Sequence, residues 1–455
     1  MLKSLANSRV AVVGLGKSGR SAIKFCRGMG AEVVLSEGGR LDDETAYWLK
    51  ENGVIYEEGG HSFDFLRRAD LVLISPGVPH YLPVLEAVRQ EGVVVAGELA
   101  LAALFLRTPM IAVTGTNGKT TVTTLIGDLL RAAGKKVFVG GNIGTPLTDY
   151  LAGSQDADWL VLEVSSFQLD AAGEFQPQIG VLLNISPDHL DRYKDLADYA
   201  QTKMRLFARQ GTGDTAIINY DDAYLRRVCT DLGGQGQDVL YFGHHLKKLV
   251  GAEMQGRKIQ LNACGEERFD LAGTYFACPP NLENAAAAIL AVQAAGCSPS
   301  AIKQGMAEFK ALPHRMTVVA EIAGVTYIDD SKATNIGAVA AALASVSGSV
   351  ILIAGGRDKG GDYSLLAELV KEKVTTMLLI GEAGAKMAAA FANLTIIETM
   401  ASLEEAVDRA AAISRSGDTV LLSPACASFD MFTGYAQRGE VFEGQVIKIA
   451  DGERA

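Results

Sequence analysis

Residues 110 to 130, MIAVTGTNGKTTVTTLIGDLL, constrain this chain more than any other stretch. Met110 to Val113 form the apolar run of a buried strand, Thr114 to Thr121 a turn crowded with backbone N–H groups, and Val122 to Leu130 a helix with apolar residues at helical spacing. Strands that alternate with helices in this way imply an α/β layer around a parallel sheet. The turn is also a phosphate cradle in outline. N–H groups at a helix N-terminus favour an anion, Lys119 can reach terminal phosphates, and the Thr120 hydroxyl can ligate Mg²⁺. The usual signature sets four residues between its first glycine and the Gly-Lys pair, whereas only Thr116 and Asn117 separate Gly115 from Gly118. A lysine-bearing turn without a ligand is the plainer alternative, but Gly115, Gly118, Lys119, Thr120 and Thr121 coincide at the offsets a phosphate needs.

A chain of 455 residues exceeds a single core, and about 150 residues per domain suggests three domains. Lys and Arg number 42 against 53 Asp and Glu, and the net charge of -11 argues against a nucleic-acid or anionic-membrane partner. The six cysteines (Cys26, Cys229, Cys264, Cys278, Cys297, Cys426) include no C-x-x-C pair, so they signal neither zinc nor a disulfide framework and read as thiols of a reducing compartment. No run approaches 18 apolar residues, and the first, Val10 to Val13, enters a glycine turn instead of a cleavage site. A cytoplasmic location is the expectation.

Three segments follow. Residues 1–98 open with strand, Gly14-x-Gly16-x-x-Gly19, helix and a strand ending near Glu37, which by itself is a dinucleotide fingerprint. Further strand-like runs, LVLISPGVP from Leu71 and Val93 to Val95, complete a small parallel unit. Residues 99–312 hold the phosphate loop, WLVLEVSSFQL, IGVLLNISPDHLDRY, AIINYDD and an alanine-rich helix from Asn284 to Ala295. Residues 313–455 carry four strand-like runs, VTYIDDSKATN, VILIAGGRDKGG, TMLLIGEAG and TVLLSPACASFD, each followed by a helical pattern. The expected fold class is α/β with three domains on mainly parallel sheets: Rossmann-like, phosphate-loop ATPase, Rossmann-like.

Ligands of open parallel sheets sit beyond the carboxyl ends of the strands, so polar residues just after the apolar runs are the candidates. Glu163 ends one such run, where a carboxylate would face Mg²⁺ at a neighbouring phosphate loop; a helix-capping role is its alternative. His189, after a Pro-Asp turn, is by itself more often a hydrogen-bonding loop residue than a ligand. Lys203 is more informative. In LADYAQTKMRLFA it falls on the apolar stripe made by Leu196, Tyr199, Ala200, Leu206 and Phe207. Either it snorkels to the rim, or desolvation favours a neutral amine that takes up CO₂ as a carbamate, a carboxylate-like Mg²⁺ ligand.

TGTNGKTT, EVSSFQL, SPDHLDRY, YAQTKMRLF, NLENAAAA, HR, DDSKATN and SPACASFD stand in this order, and together they resemble the Mur ligase family over essentially the whole chain. TGTNGKTT and HR with DDSKATN are shared across that superfamily, whereas EVSSFQL and LLSPACASFD resemble its glutamate-adding branch. The resemblance implies an ATP-dependent ligase that joins D-glutamate to UDP-N-acetylmuramoyl-L-alanine through an acyl phosphate, acting as a monomer with small-molecule substrates. It implies that Gly115, Thr116, Asn117, Gly118, Lys119, Thr120 and Thr121 hold the triphosphate. Asn281 and Asn284 would face adenine, Arg315 the γ-phosphate and Asp330 the ATP ribose. Thr120 and Glu163 would support one Mg²⁺, and His189 with carbamylated Lys203 a second; Lys119, His189 and Lys203 are the implied catalytic set. The UDP precursor would meet Gly14, Gly16, Lys17, Ser18, Gly19, Ser36, Glu37, Ser75, Gly77 and Asn142. D-Glutamate would meet Lys332, Thr334, Lys359, Ser428 and Tyr435. Where the family often places Asp near uracil this chain reads LSEGG, so Ser36 or Glu37 must take that part. A nicotinamide-dependent dehydrogenase accounts for the first 40 residues only, and a phosphate-loop switch or motor for residues 110 to 121 only. A family member adding a diamino acid would carry an Asp-Asn-Pro-Arg run, which is absent.

Overall fold

The computed structural model describes residues 4–189, 192–230, 232–262, 267–277 and 280–452, and Cys264 and Cys278 lie outside them. Among the described residues the chain builds three sheets. The first consists of β1 (Arg9–Val13), β2 (Glu32–Glu37), β3 (Ile55–Glu58), β4 (Leu71–Ile74) and β5 (Val94–Gly97), all parallel, in the order β3-β2-β1-β4-β5. Chain order reverses between β1 and β4, so the turns after these two strands border a crevice. Val10 to Val13 and Leu71 to Ile74 are buried, as strands covered on both faces require.

The second sheet contains β6 (Met110–Thr114), β7 (Val137–Gly141), β8 (Trp159–Glu163), β9 (Ile179–Leu182), β10 (Thr215–Asn219), β11 (Asp238–Gly243), β12 (Gly251–Gln255), β13 (Lys258–Leu261) and β14 (Glu267–Asp270). Its order is β14-β13-β12-β11-β10-β9-β6-β8-β7, parallel except at the β12-β13-β14 end. Strand β6 lies between β8 and β9, which sets the phosphate loop beside Glu163 on one side and Leu183 and Asn184 on the other. The third sheet has β15 (Thr317–Ile322), β16 (Val325–Asp329), β17 (Val350–Gly355), β18 (Val374–Ile380), β19 (Ile396–Thr399) and β20 (Thr419–Leu422), ordered β15-β16-β20-β17-β18-β19 with β15 antiparallel.

By packing, the chain divides into two compact units: Met1–Ile185, Ala197–Asp270 and Glu283–Glu308, and Ser186–Leu196, Leu271–Leu282 and Phe309–Ala455. The first two sheets share the first unit, and the third sheet lies in the second. Within the segment expected at 99–312, residues 186–196 and 271–282 pack in the unit of the third sheet. Among the described residues no helix is long and apolar enough to cross a membrane.

Candidate active site

In the first unit a cavity of about 490 Å³ opens where the turn after β1 meets the turn after β4. Gly14, Gly16, Lys17, Ser18, Glu37, Ser75, Gly77 and Asn142 all line it. Gly14 has φ +87° and its carbonyl accepts the Ser75 hydroxyl at 2.7 Å, which fixes the turn to the neighbouring strand end. Gly19 lies beneath the turn: a Cβ there would stand 2.2 Å from the Gly14 oxygen. The Leu15 N–H donates to Glu37 Oε2 at 2.6 Å, so a carboxylate occupies one of the N–H groups that the turn offers to an anion. Lys17 donates to the Gly144 carbonyl, and Ser21 bonds Thr148 and Asp149, which ties the first glycine turn's helix to the segment after β7. Ser36 departs from expectation. Its side chain is fully buried, its hydroxyl is engaged by Glu57 and His61 at 2.7 Å each, and it does not line the cavity, which leaves Glu37 as the residue of that pair facing it.

The phosphate loop is held from both sides. Asn184 accepts the Thr116 N–H on its carbonyl and the Asn117 N–H on its side chain, at 3.0 and 2.8 Å. Gly115 and Gly118 have φ +149° and +85°; a Cβ on Gly118 would meet Asn284 Oδ1 at 2.4 Å, so that asparagine, expected near adenine, packs directly on the loop. Lys119 Nζ folds back to donate to the carbonyls of Gly115 and Thr116, each at 2.8 Å. Thr120 Oγ1 donates to Glu163 Oε2 at 2.7 Å, and Glu163 Oε1 accepts Asn142 Nδ2 at 2.8 Å. Lys203, on the helix Leu196–Met204, is 1% exposed, which removes the snorkelling alternative. Its Nζ donates to the Gly115 carbonyl at 2.9 Å and sits 4.7 Å from the Tyr199 ring centroid.

In the second unit His189 adopts φ +55°, and its N–H donates to Asp188, whose carboxylate also accepts Asn335 Nδ2 at 3.3 Å. Asp330 lies behind β16; burial pushes its carboxyl up to about 7, opposed by a hydrogen bond from Ser423, the Arg315 charge and the Met316 N–H. Asn281 bonds Tyr275, whose phenol feels the charges of Arg315 and Asp330, so these four share one neighbourhood. Lys332 Nζ stands 3.8 Å over the Tyr435 ring. Lys359 and Thr334 are half-buried, while Ser428 is buried. His314, Asp329 and Glu443 form a cluster that in outline could hold a cation. His314 Nδ1 and Asp329 Oδ2 stand 2.6 Å apart, at hydrogen-bond distance. The cluster is a hydrogen-bonded triad. Burial, then the Asp329 carboxylate, holds the Glu443 carboxyl above its usual range.

Residues 9–82 match the MurD N-terminal domain, 113–292 the Mur ligase middle domain and 314–426 the glutamate ligase domain of Mur ligases. The UDP-N-acetylmuramoylalanine–D-glutamate ligase of Desulfotalea psychrophila is 47% identical over 98% of this chain and 97% of its own length. The ligase of the same name from Pelotomaculum thermopropionicum is 41% identical over 99% of this chain and all of its own. The chain belongs to the Mur ligase family. Solved Mur ligases share its fold at low identity: the Thermotoga maritima MurF ligase, in complex with ADP, has a TM-score of 0.60 at 18% identity over 98% of this chain and 96% of its own. UDP-N-acetylmuramate-alanine ligase from the same organism has 0.59 at 18%, over 97% and 100%. In this Mur ligase the sequence reading missed Gln168, which lines the cavity while capping its helix from Ser165, and the partners Glu57 and His61 that engage Ser36. It also missed Glu443 and Arg438. EVSSFQL carried a signal for Gln168 as the fourth member of a Ser-x-x-Gln capping box; nothing local marks the others, which are defined by distant partners.

Proposed function

We propose that the protein joins D-glutamate to UDP-N-acetylmuramoyl-L-alanine in the synthesis of peptidoglycan precursors, with ATP converted to ADP and phosphate through an acyl phosphate. The observation that carries this is a pair of hydrogen bonds. Asn142 lines the glycine-turn cavity and bonds Glu163, and Glu163 bonds Thr120 of the phosphate loop. A precursor whose diphosphate sits on the Gly14 turn would thus have its carboxylate end within reach of a γ-phosphate on the loop. In the first step a carboxylate oxygen attacks the γ-phosphorus and ADP leaves; in the second the amine of D-glutamate attacks the acyl carbon and phosphate leaves.

Three anions have to approach one another in the first step, so catalysis rests on positioned positive charge. Lys119 would exchange its loop carbonyls for phosphate oxygens, and the N–H groups from Gly115 to Thr121 would cradle the chain of phosphates. Thr120 Oγ1 and Glu163 Oε2, 2.7 Å apart, are hard oxygen donors of the kind that suits Mg²⁺. Such an ion neutralises phosphate charge when bound. Lys203 as a carbamate, with His189, is the proposed ligand pair of a second ion, on the resemblance of YAQTKMRLF and SPDHLDRY together with the burial of Lys203 against Gly115. Asn281, Asn284, Arg315 and Asp330 are proposed for ATP, and Lys332, Thr334, Lys359, Ser428 and Tyr435 for D-glutamate. Phosphate release from ATP with the UDP precursor, measured in turn with D-glutamate, L-glutamate, L-alanine and a diamino acid, tests the assignment. Only D-glutamate should support turnover; release driven by another amino acid would reassign the chain within its family.

A further inference from the structure

Among the described residues Arg438 is the bulkiest side chain with no solvent exposure. It stands in the helix Tyr435–Ala450. Nε donates to Ser331 Oγ at 3.0 Å, Nη2 to the Ser331 carbonyl at 2.8 Å and the Cys426 carbonyl at 3.2 Å, and Nη1 to the carbonyls of Cys426 and Ala427 at 3.2 and 3.5 Å. Ser331 in turn donates its hydroxyl to the Tyr435 carbonyl at 2.8 Å. Room for the guanidinium comes from Gly356, where a Cβ would lie 3.2 Å from Nη1 and 2.3 Å from the Ala427 oxygen. The Ala427 carbonyl also accepts the Arg357 N–H at 2.8 Å.

Among the described residues no carboxylate forms an ion pair with this guanidinium: the acceptors named are four neutral oxygens. A buried cation without a paired anion is costly and is a poor way to gain stability. Burial lowers its pKa to about 10, which still leaves it charged at neutral pH. What the group does achieve is geometric. Five N–H groups in a rigid fork suit an array of fixed oxygens in a way that no lysine ammonium can. Its hydrogen bonds join the loops after β16 and β20, and the loop after β17 is tied to them through the Ala427 carbonyl that accepts the Arg357 N–H; these loops carry Lys332, Thr334, Lys359, Ser428 and, at the start of its own helix, Tyr435.

We propose that Arg438 is the positioning residue of the amino-acid pocket, a single buried fork that sets the spacing of the three loops which receive D-glutamate. This rests on the reading that those loops bind the amino acid, and the test separates the two. In the full-length enzyme, KM for D-glutamate, ATP and the UDP precursor would be measured for Arg438→Lys, Arg438→Gln and Ser331→Ala, with Lys359→Ala and Ser428→Ala as pocket controls and thermal melting as a check on folding. Arg438→Lys and Arg438→Gln should raise KM for D-glutamate about tenfold or more, as for loss of charge-assisted hydrogen bonds, with the glutamine variant worse and KM for ATP within about twofold. Ser331→Ala, which removes one acceptor of the fork together with the hydroxyl's own bond to the Tyr435 carbonyl and keeps the charge, should give a smaller rise of the same selectivity and carries the test if the Arg438 variants do not fold. Melting temperature and kcat falling with all three KM values unchanged would make Arg438 merely structural and overturn the proposal. Unchanged KM for D-glutamate in Lys359→Ala and Ser428→Ala would instead overturn the pocket assignment itself.

Discussion

Lys203 joins sequence pattern to chemistry at the scale of one residue. Its place on an apolar stripe left snorkelling and burial as alternatives, and its 1% exposure against the Gly115 carbonyl decides for burial, but an amine and a carbamate leave the same trace in a sequence. An ammonium beside Mg²⁺ repels it and a carbamate attracts it, so the sign of the charge decides the role. Lys203→Ala should lose nearly all ligation and regain part of it with formate or acetate, whereas Lys203→Arg should not respond, since guanidinium stays charged and fills the space. Wild-type turnover by Lys203→Ala would return this residue to a structural lysine. Asp330 makes a prediction in pH. Its carboxyl is raised from 3.8 to about 7, chiefly by burial, so the folded state binds that proton more tightly than the unfolded state does. The contribution to stability is complete below 3.8 and is lost as pH rises through about 7. Asp330→Asn should flatten the dependence of melting temperature on pH across that window, and an unchanged slope would mean that other groups set it. Ser36 marks the limit of reading residues singly, because adjacent strand residues point to opposite faces and a sequence does not say which face meets the cavity; Ser36 turns to Glu57 and His61, folded in from β3 and the loop beyond.

Strands and turns with both faces covered were legible as elements, because a buried parallel strand is a bare apolar run and the turns after it carry the glycines. β1, β2, β4, β5, β6, β8, β9, β10, β16, β17, β18 and β20 follow the runs named from sequence. β3, β7, β11 to β15 and β19 did not emerge. β13 and β14 are four residues each and carry Lys258, Glu267, Arg268 and Asp270, and β15 and β19 are partly exposed, so none presents a continuous apolar run. The first glycine turn offers a paired test within one element. Gly19→Ala would drive a Cβ to 2.2 Å from the Gly14 oxygen, whereas nothing lies within 4 Å of a Cβ on Gly16, which lines the cavity. Gly19→Ala should therefore destabilise the fold by about 1–3 kcal/mol, the usual cost of overpacking. Gly16→Ala should melt like the wild type yet bind the UDP precursor more weakly, because its new methyl meets the ligand. Calorimetric binding beside thermal melting separates the two, and equal behaviour of both variants would contradict this picture of the turn.

For the whole molecule, the succession of three α/β segments was legible from alternating apolar runs and helical patterns, but the packing division was not. Residues 186–196 and 271–282 are assigned to the unit of the third sheet by contacts distant in sequence. A single chain that binds three substrates should lose its functions separately. Lys119 does not line the glycine-turn cavity, so Lys119→Ala should abolish ligation and leave calorimetric binding of the UDP precursor within about twofold of wild type, as expected for independent sites. Loss of both together would make the cavity and the phosphate loop one site. The central claim is that a carboxylate of the precursor is phosphorylated by ATP before D-glutamate attacks, and oxygen labelling tests it most directly. The precursor would be labelled with ¹⁸O in its alanyl carboxylate and turned over with ATP and D-glutamate, and the released phosphate analysed by mass spectrometry. Attack on the γ-phosphorus followed by displacement predicts one labelled oxygen in each phosphate released with product, and unlabelled phosphate accompanying ligated product would contradict the account.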